Sequence, residues 1–108
     1  MSTRSTIALE LTDGRVLSVY CHFDGYYEHN GKILKEYYSD YDKVLELVQL
    51  GSMSSLQETI EDTVFYKRDR GEEKMYISYF SDFNDYIQNN DKQEYNYIFR
   101  DGKWTYTR

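Results

Sequence analysis

The chain has 108 residues, a formal net charge of −6 and a single cysteine, and tyrosine occupies 13 positions. Its acidic balance disfavours duplex nucleic acid as a partner, because binding there depends mainly on lysine and arginine neutralising phosphates. One cysteine cannot form an intramolecular disulfide, and no apolar run has the length of a membrane span or signal peptide. We therefore expect one cytoplasmic domain over residues 1–108, with no membrane association.

The N-terminal region predicts a β-hairpin. Ile7, Leu9 and Leu11 alternate with smaller or polar residues, as in a strand with one buried face. Asp13-Gly14 supplies a turn, and residues 16–20 resume β-favouring chemistry.

Two short helices are predicted to follow, because the apolar residues are no longer spaced two apart, as in a strand, but three to four apart, as on one face of a helix. Asp40 and Asp42 are alternative N-caps for the second helix, and Gly51 stands where a glycine would end it. The residues that define the two apolar faces are Ile33, Leu34, Tyr37, Tyr38, Val44, Leu47 and Val48.

The middle of the chain is less regular. Residues 52–61 fit either a loop followed by one helical turn or a surface excursion. Residues 63–68 are rich in β-formers, the sequence RDRGEE indicates a turn, and residues 74–80 are predicted to pair back as a second hairpin.

The last third of the chain predicts a helix and a final hairpin. Ser81-Asp82 is an N-cap for a helix that ends near Asn89-Asn90. Residues 94–108 alternate aromatic and polar positions on both sides of an Asp101-Gly102 turn.

Together these elements predict an α+β fold. We expect an antiparallel sheet built from hairpins, with two to three short helices packed on one face.

Several stretches carry a family resemblance. They are MSTRSTIALE at 1–10, VYCHFDGYYEHNGKIL at 19–34 and FYKRDRGEE at 65–73, followed by FSDFNDYI and EYNYIFRDGKW. With them the chain resembles a family of small, largely uncharacterised proteins encoded by bacteriophages and prophages. It departs from the family pattern at Phe23, where tryptophan is typical, and at Lys67, where glycine is typical. The family brings no established activity, so the resemblance implies no catalytic residue.

The resemblance implies a viral or prophage origin, and it favours a binding function. Short acidic phage proteins often act stoichiometrically on a host protein or a defence component. The favoured hypothesis is therefore an accessory protein that binds such a partner through an acidic, tyrosine-bearing surface and inhibits or redirects it.

The segment 19–29 is dense in reactive side chains. Cys21, His22, Asp24, Glu28 and His29 are each capable of metal ligation. Structural zinc usually needs Cys or His pairs at two separated places, and here one half is missing, so we predict neither a metal nor another cofactor. Cys21 and His22 are adjacent on a strand and point to opposite faces, which is poor geometry for a nucleophile and its base.

The turn YKRDRGEE suggests an alternative function, an anionic small-ligand site. Strand-like alternation would place Arg68 and Arg70 on one face, suited to forked contact with a phosphate or carboxylate such as a nucleotide signal. The competing interpretation is a solvated turn in which these arginines pair with Glu72, Glu73 or other acids. The full predicted ligand set is Arg4, His22, Asp24, Tyr26, Arg68 and Arg70.

A third hypothesis is a metal-dependent hydrolase or nuclease that uses the His22, Asp24 and His29 region. It ranks last, because no acid–base pair can be selected from 19 carboxylates without a known cleft. The sequence leaves the oligomeric state open.

Overall fold

The structure is a computed structural model that describes residues 2–108. Within this range the chain forms one mixed sheet, whose strands are β1 (Ser5–Glu10), β2 (Val16–Cys21), β3 (Met53–Ser55), β4 (Val64–Phe65), β5 (Ser78–Phe80), β6 (Tyr95–Arg100) and β7 (Lys103–Thr107). The helices are α1 (Lys32–Tyr37), α2 (Tyr41–Gln49) and α3 (Phe83–Asn89), and a π-helical turn over Tyr27–Gly31 leads into α1.

The sheet has the strand order β4-β3-β2-β1-β6-β7, and β5 also pairs with β2. Most neighbouring strands are antiparallel, whereas β1 with β6 and β2 with β3 are parallel. The predicted α+β class and the mostly antiparallel sheet are therefore confirmed.

Two of the predicted hairpins are present. β1 and β2 are joined by the Asp13-Gly14 turn, in which the backbone N of Gly14 donates to the carbonyl oxygen of Leu11 at 2.9 Å. β6 and β7 are joined at Asp101-Gly102, where both residues have positive φ, 53° and 78°. Positive φ at both central positions matches the right-handed twist of the flanking strands, which explains the short, sharp turn.

The helix ends follow the predicted signals. Gly51, with φ of 93°, follows the last turn of α2. Asp82 caps α3, since its carboxylate accepts a hydrogen bond from the backbone N of Asp85 at 2.8 Å. Asp40 occupies the N-cap position of α2 without a side-chain bond to the helix.

Strand alternation divides the core between the two faces of the sheet. α1 and α2 cover the larger cluster through Leu34, Val44 and Leu47, against the Ile7 and Leu9 face of β1. The third helix lies on the opposite face, where Tyr86 packs with Ala8, Val16 and Ile98. Two helices thus share one face, as expected, and α3 covers part of the other.

The predicted hairpin between residues 63–68 and 74–80 is wrong. β4 pairs with β3, and β5 pairs with the edge of β2. The chain turns instead directly after β4, where the carboxylate of Asp69 accepts a hydrogen bond from the backbone N of Phe65 at 2.8 Å.

Residues 52–61 contain a buried strand rather than a surface excursion. Ser52, Met53, Ser54 and Leu56 are all buried. Met53 lies in the core cluster because it pairs with Cys21 of the central strand β2. Among the described residues, no helix has the length and apolarity needed to cross a membrane.

Candidate functional site

A cleft opens along one edge of β2. β5 pairs with this edge over residues 16–18, and β3 pairs with it at Cys21. Val19 and Tyr20 lie between the positions paired with β5 and β3, and no strand pairs with them on this edge of β2. The gap between β3 and β5 forms the floor of a cavity of about 590 Å³, which we call the β2 cleft.

Residues from six separate parts of the chain line the β2 cleft. Most of them carry a hydroxyl, a carboxylate or an aromatic ring, and none is lysine or arginine. The lining residues are Thr6, Ser18, Val19, Tyr20, Ser52, Tyr66, Glu72, Tyr76, Ile77, Ser78, Phe80, Asp91 and Gln93. Such a mixture of apolar walls and a few polar groups is typical of a ligand or side-chain site.

Ser52 closes the gap between the strands with its side chain. Its Oγ accepts a hydrogen bond from the backbone N of Tyr20 at 3.0 Å and donates one to the carbonyl oxygen of Tyr76 at 2.8 Å. Its backbone N donates to the carbonyl oxygen of Met75 at 2.7 Å. This buried serine thereby fixes the segment that forms the outer wall of the β2 cleft.

Tyr76 is held in an unusual backbone conformation. Its φ is 55°, in the left-handed region that bulky residues rarely occupy, and 58% of its surface is exposed. A conformation of this kind costs about 1–3 kcal/mol and persists only where surrounding contacts impose it. The bonds from Ser52 supply those contacts, so Tyr76 keeps a defined position at the mouth of the cleft.

Two tyrosines of the cleft wall are only partly exposed. Burial raises the pKa of Tyr20, and the positive charge of Arg4 opposes that shift. Burial also raises the pKa of Tyr66, and the positive charge of Arg70 opposes it there. Both phenols therefore stay protonated at neutral pH.

Three of the predicted ligand residues lie beside the β2 cleft without lining it. His22 Nδ1 shares a 2.7 Å hydrogen bond with the hydroxyl of Tyr20. The guanidinium carbon of Arg70 lies 5.5 Å from the ring centroid of Tyr66. Arg4 is exposed, and its backbone N donates to the carboxylate of Glu94 at 3.1 Å. The motif-rich stretches around residues 22 and 70 thus converge through Tyr20 and Tyr66.

Asp24 and Tyr26 belong to the loop that leads into the π-helical turn, and neither lines the β2 cleft. Asp24 has φ of 57°, and its carbonyl oxygen accepts from the backbone N of Asn30 at 3.3 Å. Between them, the carbonyl oxygen of Gly25 accepts a 2.7 Å hydrogen bond from the hydroxyl of Tyr97. These contacts give the loop a structural role.

Arg68 is engaged within the chain. Its Nε donates to both carboxylate oxygens of Asp69, and its Nη2 donates to the carbonyl oxygen of Thr63 at 2.8 Å. Its guanidinium also lies over the ring of Phe65, 4.7 Å from the centroid. Most of the donors that a phosphate would use are therefore occupied.

The cysteine and the histidines of segment 19–29 do not form a nucleophile and base. The amide of Asn30 stands between them: its Nδ2 donates to the Sγ of Cys21 at 3.4 Å, and its Oδ1 pairs with His29 Nδ1 at 2.8 Å. Burial raises the pKa of Cys21 to about 11, so the thiol is protonated at neutral pH. Within residues 2–108, no three His, Cys, Asp or Glu side chains are grouped closely enough to hold a metal ion.

Several residues of the cleft were not predicted from the sequence. Ser18 and Tyr20 alternate along β2 with the core residues Leu17, Val19 and Cys21, and this alternation alone places them on one face. Ser52, Asp91 and Gln93 carry no comparable signal, because they join the cleft from loops that are distant in sequence.

No family model, curated protein or solved structure matches this chain.

Proposed function

We propose that the chain is a phage or prophage accessory protein that acts by binding a host or anti-phage defence protein, which it inhibits or redirects. The observation that best supports this function is the exposed segment 70–79 beside the β2 cleft. Every residue of this segment except Ile77 is exposed, and Tyr79 has 69% of its surface accessible. Exposed tyrosines on a fixed backbone provide contact area at a small cost in conformational entropy.

The charge around this segment favours a basic partner. Glu72, Glu73, Asp91 and Glu94 are exposed acids on or next to the cleft, and the exposed cations Arg70, Lys74 and Lys92 lie among them. The acidic character of the surface comes from the whole chain, which carries a net charge of −6. An acidic surface accelerates association with a basic one and disfavours acidic competitors. A basic groove of a host or defence protein therefore has the complementary chemistry.

An anionic small ligand is the second candidate, and the positions of Arg4 and Arg70 next to Tyr20 and Tyr66 favour it. The cleft itself presents the carboxylates of Glu72 and Asp91 and no cationic side chain. An anion inside it would meet like charge, so protein binding has the stronger support. A thermal-shift screen with nucleotides would detect such a ligand as a rise in Tm.

The proposed function is tested by affinity capture from host lysates with the intact chain and two variants. A double Tyr76→Ala, Tyr79→Ala variant removes the most exposed rings of the segment, and Tyr37→Ala removes an exposed ring from α1 as the matched control. We expect the wild-type chain and the control to retain one saturable protein that the double variant loses. The captured protein, once purified, should lose or change its activity when titrated with one equivalent of the chain.

Absence of a saturable partner in several hosts would overturn the proposal. It would also be overturned by a partner that is retained equally by the double variant. A melting curve for each variant would ensure that the comparison is made between folded proteins.

A further inference from the structure

The β2 cleft contains a serine whose hydroxyl makes no hydrogen bond among the described residues. Ser18 lines the cleft with only 5% of its surface exposed. Among the hydrogen bonds of residues 2–108, those at the cleft use the side chains of Thr6, Tyr20 and Ser52, and none uses that of Ser18. The Ser18 hydroxyl is therefore available to donate to, or accept from, a group that enters the cleft.

The other polar groups of the lining favour a hydrogen-bond donor. Glu72 and Asp91 contribute carboxylates, which accept hydrogen bonds only, and neither forms an ion pair within the described residues. Gln93 adds an amide, and no lysine or arginine lines the cleft. The complementary occupant is rich in N–H donors and carries positive charge.

The aromatic walls narrow the choice to a planar cation. Tyr20, Tyr66 and Tyr76 line the cleft, and a guanidinium stacks well on tyrosine rings. The chain itself shows this contact, because Arg70 already lies over the ring of Tyr66. Exposed charges of both signs surround the entrance, so the preference for a cation rests on the two carboxylates that line the cleft and on the lack of a cationic lining residue. The surrounding residues are Arg4, Arg70, Lys74 and Lys92 and the acids Glu72, Glu73, Asp91 and Glu94.

We propose that the β2 cleft binds an arginine side chain of the partner protein, with the carboxylates of Glu72 and Asp91 accepting from the guanidinium and the tyrosine rings packing against its plane. This inference rests on the proposed function and adds the residue that the partner inserts. The guanidinium has five N–H donors in a fixed fork, which suits two carboxylates and a serine hydroxyl placed around one cavity.

The test is an NMR titration of the isotope-labelled full chain with two blocked tripeptides, Gly-Arg-Gly and Gly-citrulline-Gly. Citrulline has nearly the same shape as arginine but no charge. We expect the arginine peptide to shift the amide signals of Ser18, Tyr66 and Ser78 in a saturable manner. We expect the citrulline peptide to bind at least about tenfold more weakly, the loss that corresponds to about 1.4 kcal/mol.

Variants locate the binding site. A Glu72→Gln, Asp91→Asn double variant removes both carboxylate charges from the cleft, and Glu46→Gln removes one from α2, on the other face of the sheet. The double variant should lose about tenfold or more in affinity for the arginine peptide, whereas Glu46→Gln should bind like wild type. Equal binding of the two peptides, shifts confined to another surface, or an unchanged affinity in the double variant would overturn the inference.

The peptide titration is independent of the lysate experiment. If a partner is captured through Tyr76 and Tyr79 but the arginine peptide does not bind, the cleft assignment fails and the proposed function stands. If the peptide binds in the cleft but no partner is captured in any host, the proposed function fails.

Discussion

Ser52 and Tyr76 are joined by a hydrogen bond of 2.8 Å from the serine Oγ to the tyrosine carbonyl oxygen, and the same Oγ accepts from the backbone N of Tyr20. One buried hydroxyl therefore satisfies two backbone groups that no strand reaches. It connects the central strand β2 to the outer wall of the cleft across the gap between β3 and β5.

Ser52→Ala is expected to destabilise the protein by about 2 kcal/mol or more, because the variant leaves the N–H of Tyr20 and the carbonyl of Tyr76 without their partner. Ser55→Ala is the matched control. Ser55 lies three residues further along, in β3, its side chain makes no hydrogen bond within the described residues, and the change should cost less than about 0.5 kcal/mol. Urea denaturation of both variants measures the free energy of unfolding. Equal losses in the two variants would contradict the bridging role of Ser52.

Gly51→Ala is expected to be more damaging than Gly71→Ala, although both glycines have positive φ, 93° and 72°. A Cβ at position 51 would lie 2.5 Å from the carbonyl oxygen of Met75, whereas one at position 71 would meet nothing within 4 Å. Gly71→Ala should therefore cost only the backbone strain of about 1–2 kcal/mol, and Gly51→Ala should cost clearly more. Thermal denaturation of the two variants compares them directly. Similar Tm values would show that the wall at Met75 moves away freely.

The contact between Asp69 and Arg68 should make stability depend on acidity. The hydrogen bonds from the Arg68 guanidinium, and then the one from the backbone N of Phe65, hold the pKa of Asp69 below its ordinary value. A lowered folded-state pKa stabilises the protein above the unfolded value of about 3.9, and this contribution is lost as the pH falls towards the folded pKa.

Asp69→Asn should therefore be less stable than wild type near pH 6, and the difference should shrink near pH 3. Melting curves of both proteins at the two pH values give the comparison, and other titrating acids such as Asp13 and Asp85 cancel in the difference. In an Arg68→Gln background the pH dependence of the Asp69 effect should be smaller, because the largest cause of the shift is gone. A difference between wild type and Asp69→Asn that does not change with pH would contradict the assignment.

Cys21 should resist alkylation while the protein is folded. It is fully buried and its pKa is about 11, so at pH 8 only about one thiol in a thousand would be ionised even if reagent reached it. Mass spectrometry after exposure to iodoacetamide should show unmodified native protein and complete labelling in denaturant. Rapid labelling of the native chain would instead indicate an accessible, activated thiol and would revive the enzyme hypothesis.

The sequence predicted those parts of the fold that are encoded locally. Gly14 and the pair Asp101-Gly102 specify turns, because few residues tolerate the positive φ found there. Asp82 specifies a helix start through its own carboxylate. The parallel pairing of β1 with β6 has no local signal, because alternation shows which face a residue takes but not which strand lies beside it.

The cleft could not be predicted from the sequence for the same reason. It depends on where β3 and β5 end along one edge of β2, and those end points are set by long-range contacts such as that between Ser52 and Tyr76. Arg68 illustrates the converse. The sequence suggested that its guanidinium belongs to an anion pocket, but the guanidinium donates hydrogen bonds to the carboxylate of the neighbouring Asp69. Arg68 therefore stabilises the turn.

The parallel pair at the centre of the sheet also constrains how the protein is made. Ile7 of β1 lies opposite Tyr97 of β6, so the middle of the sheet joins residues about ninety positions apart. Loops of that length must close before the central contacts form, which slows folding relative to helical proteins of similar size. During synthesis on the ribosome, β1 can pair with β2 before residues 95–100 have been made. Until β6 emerges, the other edge of β1 is unpaired and exposed to aggregation.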